Sequence, residues 1–131
     1  DIKKWDRVVI GNGLNPASCL LDSSVSFGAG ALLQIKAQAT FTIDSTDNTE
    51  LRFYNSSADY DLAPIGGLEV DSLATVLVNN NIFAYGSKIE NRGRLTVRNK
   101  TIYIRHVEGD YRHHGSFGNT GEFVLLSFYR R

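Results

Sequence analysis

The sequence predicts an all-β chain wound as a short right-handed parallel β-helix (a β-solenoid), and three observations predict it. Apolar residues recur at alternate positions in short runs, the period of a half-buried strand. Clusters of Gly, Asn, Ser and Asp cut those runs short, and signals for helix are nearly absent. Similar runs also return along the chain. Leu33/Ile35, Leu68/Val70, Leu95/Val97 and Phe123/Leu125 follow glycine corners and begin 27 to 35 residues apart, within the range of solenoid repeats.

In chain order, Val8 and Ile10 share one strand face before the turn Gly11-Asn12-Gly13. Phe27 leads to Gly28-Ala29-Gly30 and then to Leu33 and Ile35. Phe41 and Ile43 alternate with Thr40 and Thr42 before the polar turn Asp44-Ser45-Thr46-Asp47-Asn48. Leu51 and Phe53 form a short strand ending at Asn55-Ser56-Ser57. Gly66-Gly67 opens Leu68 and Val70, and Val76 and Val78 follow before Asn79-Asn80-Asn81. Gly93 opens Leu95 and Val97, Ile102 and Ile104 come after a bend, and Gly121 opens Phe123 and Leu125. Overlaid, the four glycine-led pairs take one place in the repeat. Phe41/Ile43, Val76/Val78 and Ile102/Ile104 take the second.

A strand with one apolar face cannot bury that face alone. Stacked coils place like over like, so the inward residues become a continuous core and each backbone bonds to the coils on either side. Residues 1–131 read as one all-β domain cut from a longer chain, with 1–27 as cap and first coil and 28–126 as irregular stacked coils. Trp5 and Arg7 belong to the cap in this reading. The same alternation also suits an antiparallel β-sandwich or jelly roll, which stands as the alternative.

Composition narrows the function classes. Apolar residues make up 42% of the chain, too many for a disordered segment. Fourteen basic and fourteen acidic residues cancel, which removes the net-charge case for nucleic acid as a partner. No run approaches the ~20 apolar residues of a membrane helix. The start, Asp1-Ile2-Lys3-Lys4-Trp5, is not a signal peptide and lacks an initiating Met, as in a mature or excised piece. Cys19 is the single cysteine, which excludes an internal disulfide, and its Leu20-Leu21 neighbours favour a small core residue.

The run Gly86-Ser87-Lys88-Ile89-Glu90-Asn91-Arg92-Gly93-Arg94-Leu95-Thr96-Val97-Arg98-Asn99 resembles one coil of the parallel β-helices of haemagglutinin-type adhesins and autotransporter passengers. Phage tailspikes and tail-fibre tips are similar in texture. The resemblance covers residues 28–126 in pattern and this one coil closely. It implies an adhesive or receptor-binding module at an extracellular, cell or virion surface, often trimeric. Some tailspikes degrade glycans, but no family catalytic residue maps onto a position here.

The densest polar cluster is His106, Glu108, Asp110, Tyr111, Arg112, His113 and His114, which holds every histidine of the chain. Imidazole and carboxylate together suit a divalent metal. Adjacent His113 and His114 point opposite ways on an extended chain, so a polar binding loop or an ordinary solvated loop is a better reading than a metal site, with no cofactor. Asp59, Tyr60 and Asp61, with Asp44 and Asp47, form a second group. Paired carboxylates about 5 to 9 Å apart serve glycosidases, carboxylate oxygens hold calcium, and Tyr54 and Tyr60 suit stacking on a sugar ring. Arg92, Arg94, Thr96, Arg98 and Lys100 read as an outward basic strip opposite Leu95 and Val97, with Arg105 beyond the run.

No phosphate-binding loop, zinc helix motif or nucleophile elbow is present. The expected function is therefore a non-catalytic adhesion, receptor-binding or fibre-structural module that recognises a surface glycan or protein receptor. A polysaccharide-active hydrolase or lyase is the alternative. The last strand adds an expected homo-oligomer: Val124, Leu126 and Phe128 are as apolar as the Phe123/Leu125 face, and both faces need cover.

Overall fold

The computed structural model describes residues 2–3, 5–28, 30–45, 49–54, 66–85, 87–98, 102–105 and 116–126. They contain fourteen strands and no helix, so the chain is all-β. The strands are β1 (Arg7–Ile10), β2 (Ala17–Leu21), β3 (Val25–Phe27), β4 (Leu32–Ile35), β5 (Ala39–Ile43), β6 (Leu51–Tyr54) and β7 (Gly67–Val70). Then come β8 (Thr75–Val78), β9 (Ile82–Tyr85), β10 (Lys88–Asn91), β11 (Arg94–Arg98), β12 (Ile102–Arg105), β13 (Ser116–Asn119) and β14 (Glu122–Leu126).

Each strand pairs with the strand three places further on, and this rule builds three sheets: β1-β4-β7-β10-β13, β2-β5-β8-β11-β14 and β3-β6-β9-β12. All eleven pairings among the described residues are parallel, which the antiparallel sandwich alternative does not accommodate. Parallel sheets need apolar cover, and here the three sheets supply it to one another. Leu33, Leu68 and Ile89 from the first, Phe41, Val76 and Leu95 from the second, and Leu51, Phe53 and Ile82 from the third share one buried core.

Register keeps like over like. In the first sheet Val8, Leu33, Leu68 and Ile89 align, followed by Ile10, Ile35, Val70 and Asn91. In the second, Cys19, Phe41, Val76, Leu95 and Phe123 align, then Leu21, Ile43, Val78, Val97 and Leu125. In the third, Phe27 and Phe53 stack with ring centroids 4.8 Å apart, and small Ala84 takes the next position.

The expected ladder of Leu33, Ile35, Leu68, Val70, Leu95 and Val97 is half right. Leu33/Ile35 and Leu68/Val70 do align, but Leu95/Val97 lie in the second sheet, beside Val76/Val78. Ile102/Ile104 belong to the third sheet, beside Ile82/Ala84, and not with Val76/Val78. The cause is the corner at Arg92-Gly93. Only these two residues separate β10 from β11, so Gly93 turns the chain from the first sheet to the second and does not open a unit as Gly67 does. Ile89 and Asn91 hold the places expected for Leu95 and Val97.

Gly67 is required where it stands. Its φ is +115°, and a Cβ there would lie 1.9 Å from the Lys88 carbonyl oxygen of the neighbouring strand. The polar core position, Asn91, is fully buried and fully used. Its Nδ2 donates to Asn119 Oδ1 at 2.8 Å and to the Glu122 carbonyl at 2.9 Å, and its Oδ1 accepts from the Gly93 N–H at 3.2 Å.

At one end of the stack, Cys19 is half-buried against the core, because β2 has a neighbour on one side only. Ile2 bridges in parallel to Phe27. The Trp5 ring lies over Gly30, where a Cβ would meet it at 2.3 Å, yet the residue is 57% exposed. Arg7 begins β1 and bonds to the Gln34 side chain.

Candidate functional site

The third sheet brings a set of aromatic and basic residues into register. β6 reads Leu51-Arg52-Phe53-Tyr54, β9 Ile82-Phe83-Ala84-Tyr85 and β12 Ile102-Tyr103-Ile104-Arg105. Leu51, Phe53, Ile82 and Ala84 are buried, so the half-buried Arg52 and Phe83 between them lie on the opposite face of the sheet. Arg52 aligns with Phe83, and Phe83 with Tyr103. Two residues on, Tyr54 aligns with Tyr85, and Tyr85 with Arg105. Neighbouring strands lie about 4.8 Å apart, so four aromatic residues and two arginines occupy a grid three strands wide. Ser26 of β3 extends the Arg52 row by one strand.

Arg52 is held by a salt bridge to Glu50, whose N–H in turn donates to Ser24 Oγ at 3.0 Å. Both partners are about a quarter to a third exposed, so the pair fixes the guanidinium more than it stabilises the fold. A guanidinium beside aromatic rings donates to hydroxyl or carboxylate oxygens, while ring faces accept apolar or cationic surfaces.

Of the residues singled out from the sequence, Tyr54 is the last residue of β6 and sits in this grid. Asp59, Tyr60 and Asp61 fall in the segment that follows β6. His106, Glu108, Asp110, Tyr111, Arg112, His113 and His114 fall in the segment that follows β12. Both segments lie outside the described residues, as do Asp47, Lys100 and Phe128. Their points of departure do not: Tyr54 and Arg105 close two strands separated only by β9, at the same edge of the same sheet. Of the second carboxylate group, Asp44 accepts the Ser45 N–H at 2.7 Å through its own Oδ1.

Arg52, Phe83, Tyr85 and Tyr103 escaped the sequence reading, and Arg105 entered it only as a basic residue beyond the Arg92–Lys100 run. Each strand alone offers only two such residues, alternating with inward ones. Only the three-strand register assembles them.

The expected basic strip faces outward at Arg92, Arg94 and Arg98, which are exposed opposite buried Leu95 and Val97, but it is interrupted and largely paired. Thr96 is buried at 8% exposure, Arg92 pairs with Asp71 at 3.2 Å, and Arg94 pairs with Glu122 at 3.3 Å. Arg98 is exposed and has no ion pair among the described residues. The outer face of the first sheet likewise carries paired charges. Gln34 donates to Asp71 at 3.1 Å, Lys88 pairs with Glu69 at 3.0 Å, and Arg92 reaches Glu69 at 4.0 Å. Among the described residues no three His, Cys, Asp or Glu side chains are arranged to hold a metal. No helix among the described residues is long and apolar enough to cross a membrane.

No protein-family model, curated protein or solved structure matches this chain.

Proposed function

We propose that the chain is a section of a right-handed parallel β-helix that works as a non-catalytic binding module at an extracellular, cell or virion surface. Pairing of every strand with the third one on supports the winding, because a chain that returns to the same sheet after three strands must circle its own core. One observation carries the function: Arg52-Phe83-Tyr103 and Tyr54-Tyr85-Arg105 are in register on one sheet, at the edge from which both polar segments depart. Aromatic and guanidinium residue types brought together suit a glycan, which offers C–H faces and hydroxyl edges together. Asp59, Tyr60, Asp61 and the His106–His113 segment follow β6 and β12 in the chain and belong to the same proposal as further ligand contacts. The module needs no cofactor in this reading.

A glycan array with the purified chain, paired with a reducing-end assay on the bound glycans, tests the proposal. Retention of a glycan without new reducing ends is expected, with Phe83→Ala weakening binding about fivefold for the loss of ~1 kcal/mol of ring contact. New reducing ends would favour the polysaccharide-active enzyme instead, and an empty array would remove the glycan reading.

Self-association through the outer face of β14 belongs to the same proposal, with Val124, Leu126 and Phe128 as contact residues and a trimer as the expected state. Light scattering during size exclusion should report an oligomer that Leu126→Glu and Phe128→Glu dissociate. A strict monomer at high concentration would refute it.

A further inference from the structure

The connection between β1 and β2 contains the only asparagine of the chain that precedes a glycine, Asn12-Gly13. Asn12 is exposed, and its Oδ1 accepts two backbone N–H bonds, from Leu14 at 2.8 Å and from Asn15 at 2.9 Å. Gly13 has φ +84° and nothing within 4 Å of the place a Cβ would take. Among the described residues, neither the Gly13 N–H nor Asn12 Nδ2 has a hydrogen-bond partner. Asn12 is exposed and Gly13 half-buried, and no hydrogen bond among the described residues holds the attacking nitrogen or the leaving amide of an intramolecular cyclisation.

We propose that Asn12-Gly13 is a self-modification site, where the folded turn converts Asn12 to aspartate and isoaspartate through a succinimide. The Gly13 amide gives its proton to hydroxide and attacks Asn12 Cγ. The N–Cγ bond forms and the carbonyl electron pair moves onto Oδ1. The N–H groups of Leu14 and Asn15 already point at that oxygen and stabilise its charge as it develops. When the pair returns, the Cγ–Nδ2 bond breaks and the nitrogen leaves as ammonia, protonated by water. Water then opens the ring. Attack at Cγ gives aspartate with the original backbone, and attack at the Asn12 main-chain carbonyl gives isoaspartate, with the chain running through Cγ. No oxidant, metal or partner protein is needed.

The other asparagines lack this combination. Asn91 and Asn80 are buried, with Nδ2 bonded to Asn119 and Glu122 in one case and to the Asp44 carbonyl at 3.4 Å in the other. Asn15 precedes Pro16, which has no N–H to attack with. Conversion adds a negative charge to an uncharged turn. The aspartate form can keep the bonds to Leu14 and Asn15, and the isoaspartate form, with one more backbone methylene, cannot keep their geometry.

The test is peptide mapping by mass spectrometry after incubating the full chain in mildly alkaline buffer, once native and once in urea. The Asn12→Asp variant marks the elution position of one product. The expected result is loss of the Asn12 amide in the native chain at least as fast as in urea. It should yield two products of equal mass, with the peptides holding Asn80, Asn91 and Asn119 unchanged. An Asn12 amide that persists in the native chain, over an interval that converts it in urea, would overturn the proposal by showing that the folded turn protects it. Persistence in both conditions would overturn it as well.

Discussion

The β7–β8–β9 unit and the β1–β2–β3 unit have the same alternation, yet they bury it differently. Leu68, Val70, Val76, Val78 and Ile82 are 0% exposed. Val8, Ile10, Cys19, Leu21 and Val25, in the same register columns, are only half-buried. The residue types are alike. The neighbours are not: β7, β8 and β9 have a strand on each side, whereas β1, β2 and β3 have one. Burial here depends on position in the stack as much as on the side chain, so the worth of an inward residue can be read from the number of strands beside it.

Substitution at equivalent columns is the sharpest way to break this comparison. Leu68→Ala should cost about 2 to 5 kcal/mol, from lost transfer energy and a cavity that strands on both sides cannot close. Val8→Ala should cost about 1 kcal/mol or less, since part of its surface already meets water. Urea denaturation measures both. Equal losses would mean that the first unit is covered as fully as the middle one.

The two stacked asparagines extend the same test to polar groups. Asn91→Ala should cost about 1 to 3 kcal/mol, because a fully buried side chain loses all three of its hydrogen bonds, to Asn119 Oδ1, the Glu122 carbonyl and the Gly93 N–H. Asn119 is exposed, water can replace it, and Asn119→Ala should cost less. A larger loss at Asn119 would reverse the order of the two positions.

A smaller effect of opposite sign is expected at the corner between β7 and β8. Leu73 is 74% exposed and held at φ +67°, where a side chain crowds its own backbone. Leu73→Gly should gain about 0.5 to 1 kcal/mol, the relief of left-handed strain less the extra freedom of an unfolded glycine. A lower melting temperature in this variant would show that the leucine makes a contact worth more than the strain. Smallest of all, Arg94→Ala should change stability by about 0.5 kcal/mol or less, because both partners in its pair with Glu122 are more than half exposed. A loss as large as that of Leu68→Ala would place the outer charges on a par with the core.

Alternation was legible in the sequence because the core demands it: Leu33/Ile35, Phe41/Ile43, Leu51/Phe53, Leu68/Val70 and Val76/Val78 all point inward as their spacing implied. The three-strand unit was not legible, because equivalent corners look unlike. Lys36-Ala37-Gln38 turns the chain from the first sheet to the second in one unit, Asp71-Ser72-Leu73-Ala74 does so in the next, and Arg92-Gly93 does so with half as many residues. β10 escaped because its second inward residue is Asn91, which looks like a turn residue until its partners are seen. The candidate site was legible only at Tyr54. Its companions are separated by tens of residues and meet through pairings that no single strand encodes.

The pairing of Gly67 with Lys88 makes the 21 residues from 67 to 87 the most compact passage through all three sheets. The corresponding passages starting at Arg7, Leu32 and Lys88 take 25, 35 and 28 residues, the excess lying in the connections. Residues 67–87 therefore act as a unit of length. In the proposed β-helix, a gene carrying this segment twice in tandem would set Leu68 beside a second Leu68, Val76 beside Val76 and Ile82 beside Ile82, lengthening the stack by about 4.8 Å per added copy. Growth by duplication would leave the end units and the connections untouched, so a chain of this kind can change its reach without redesigning its core.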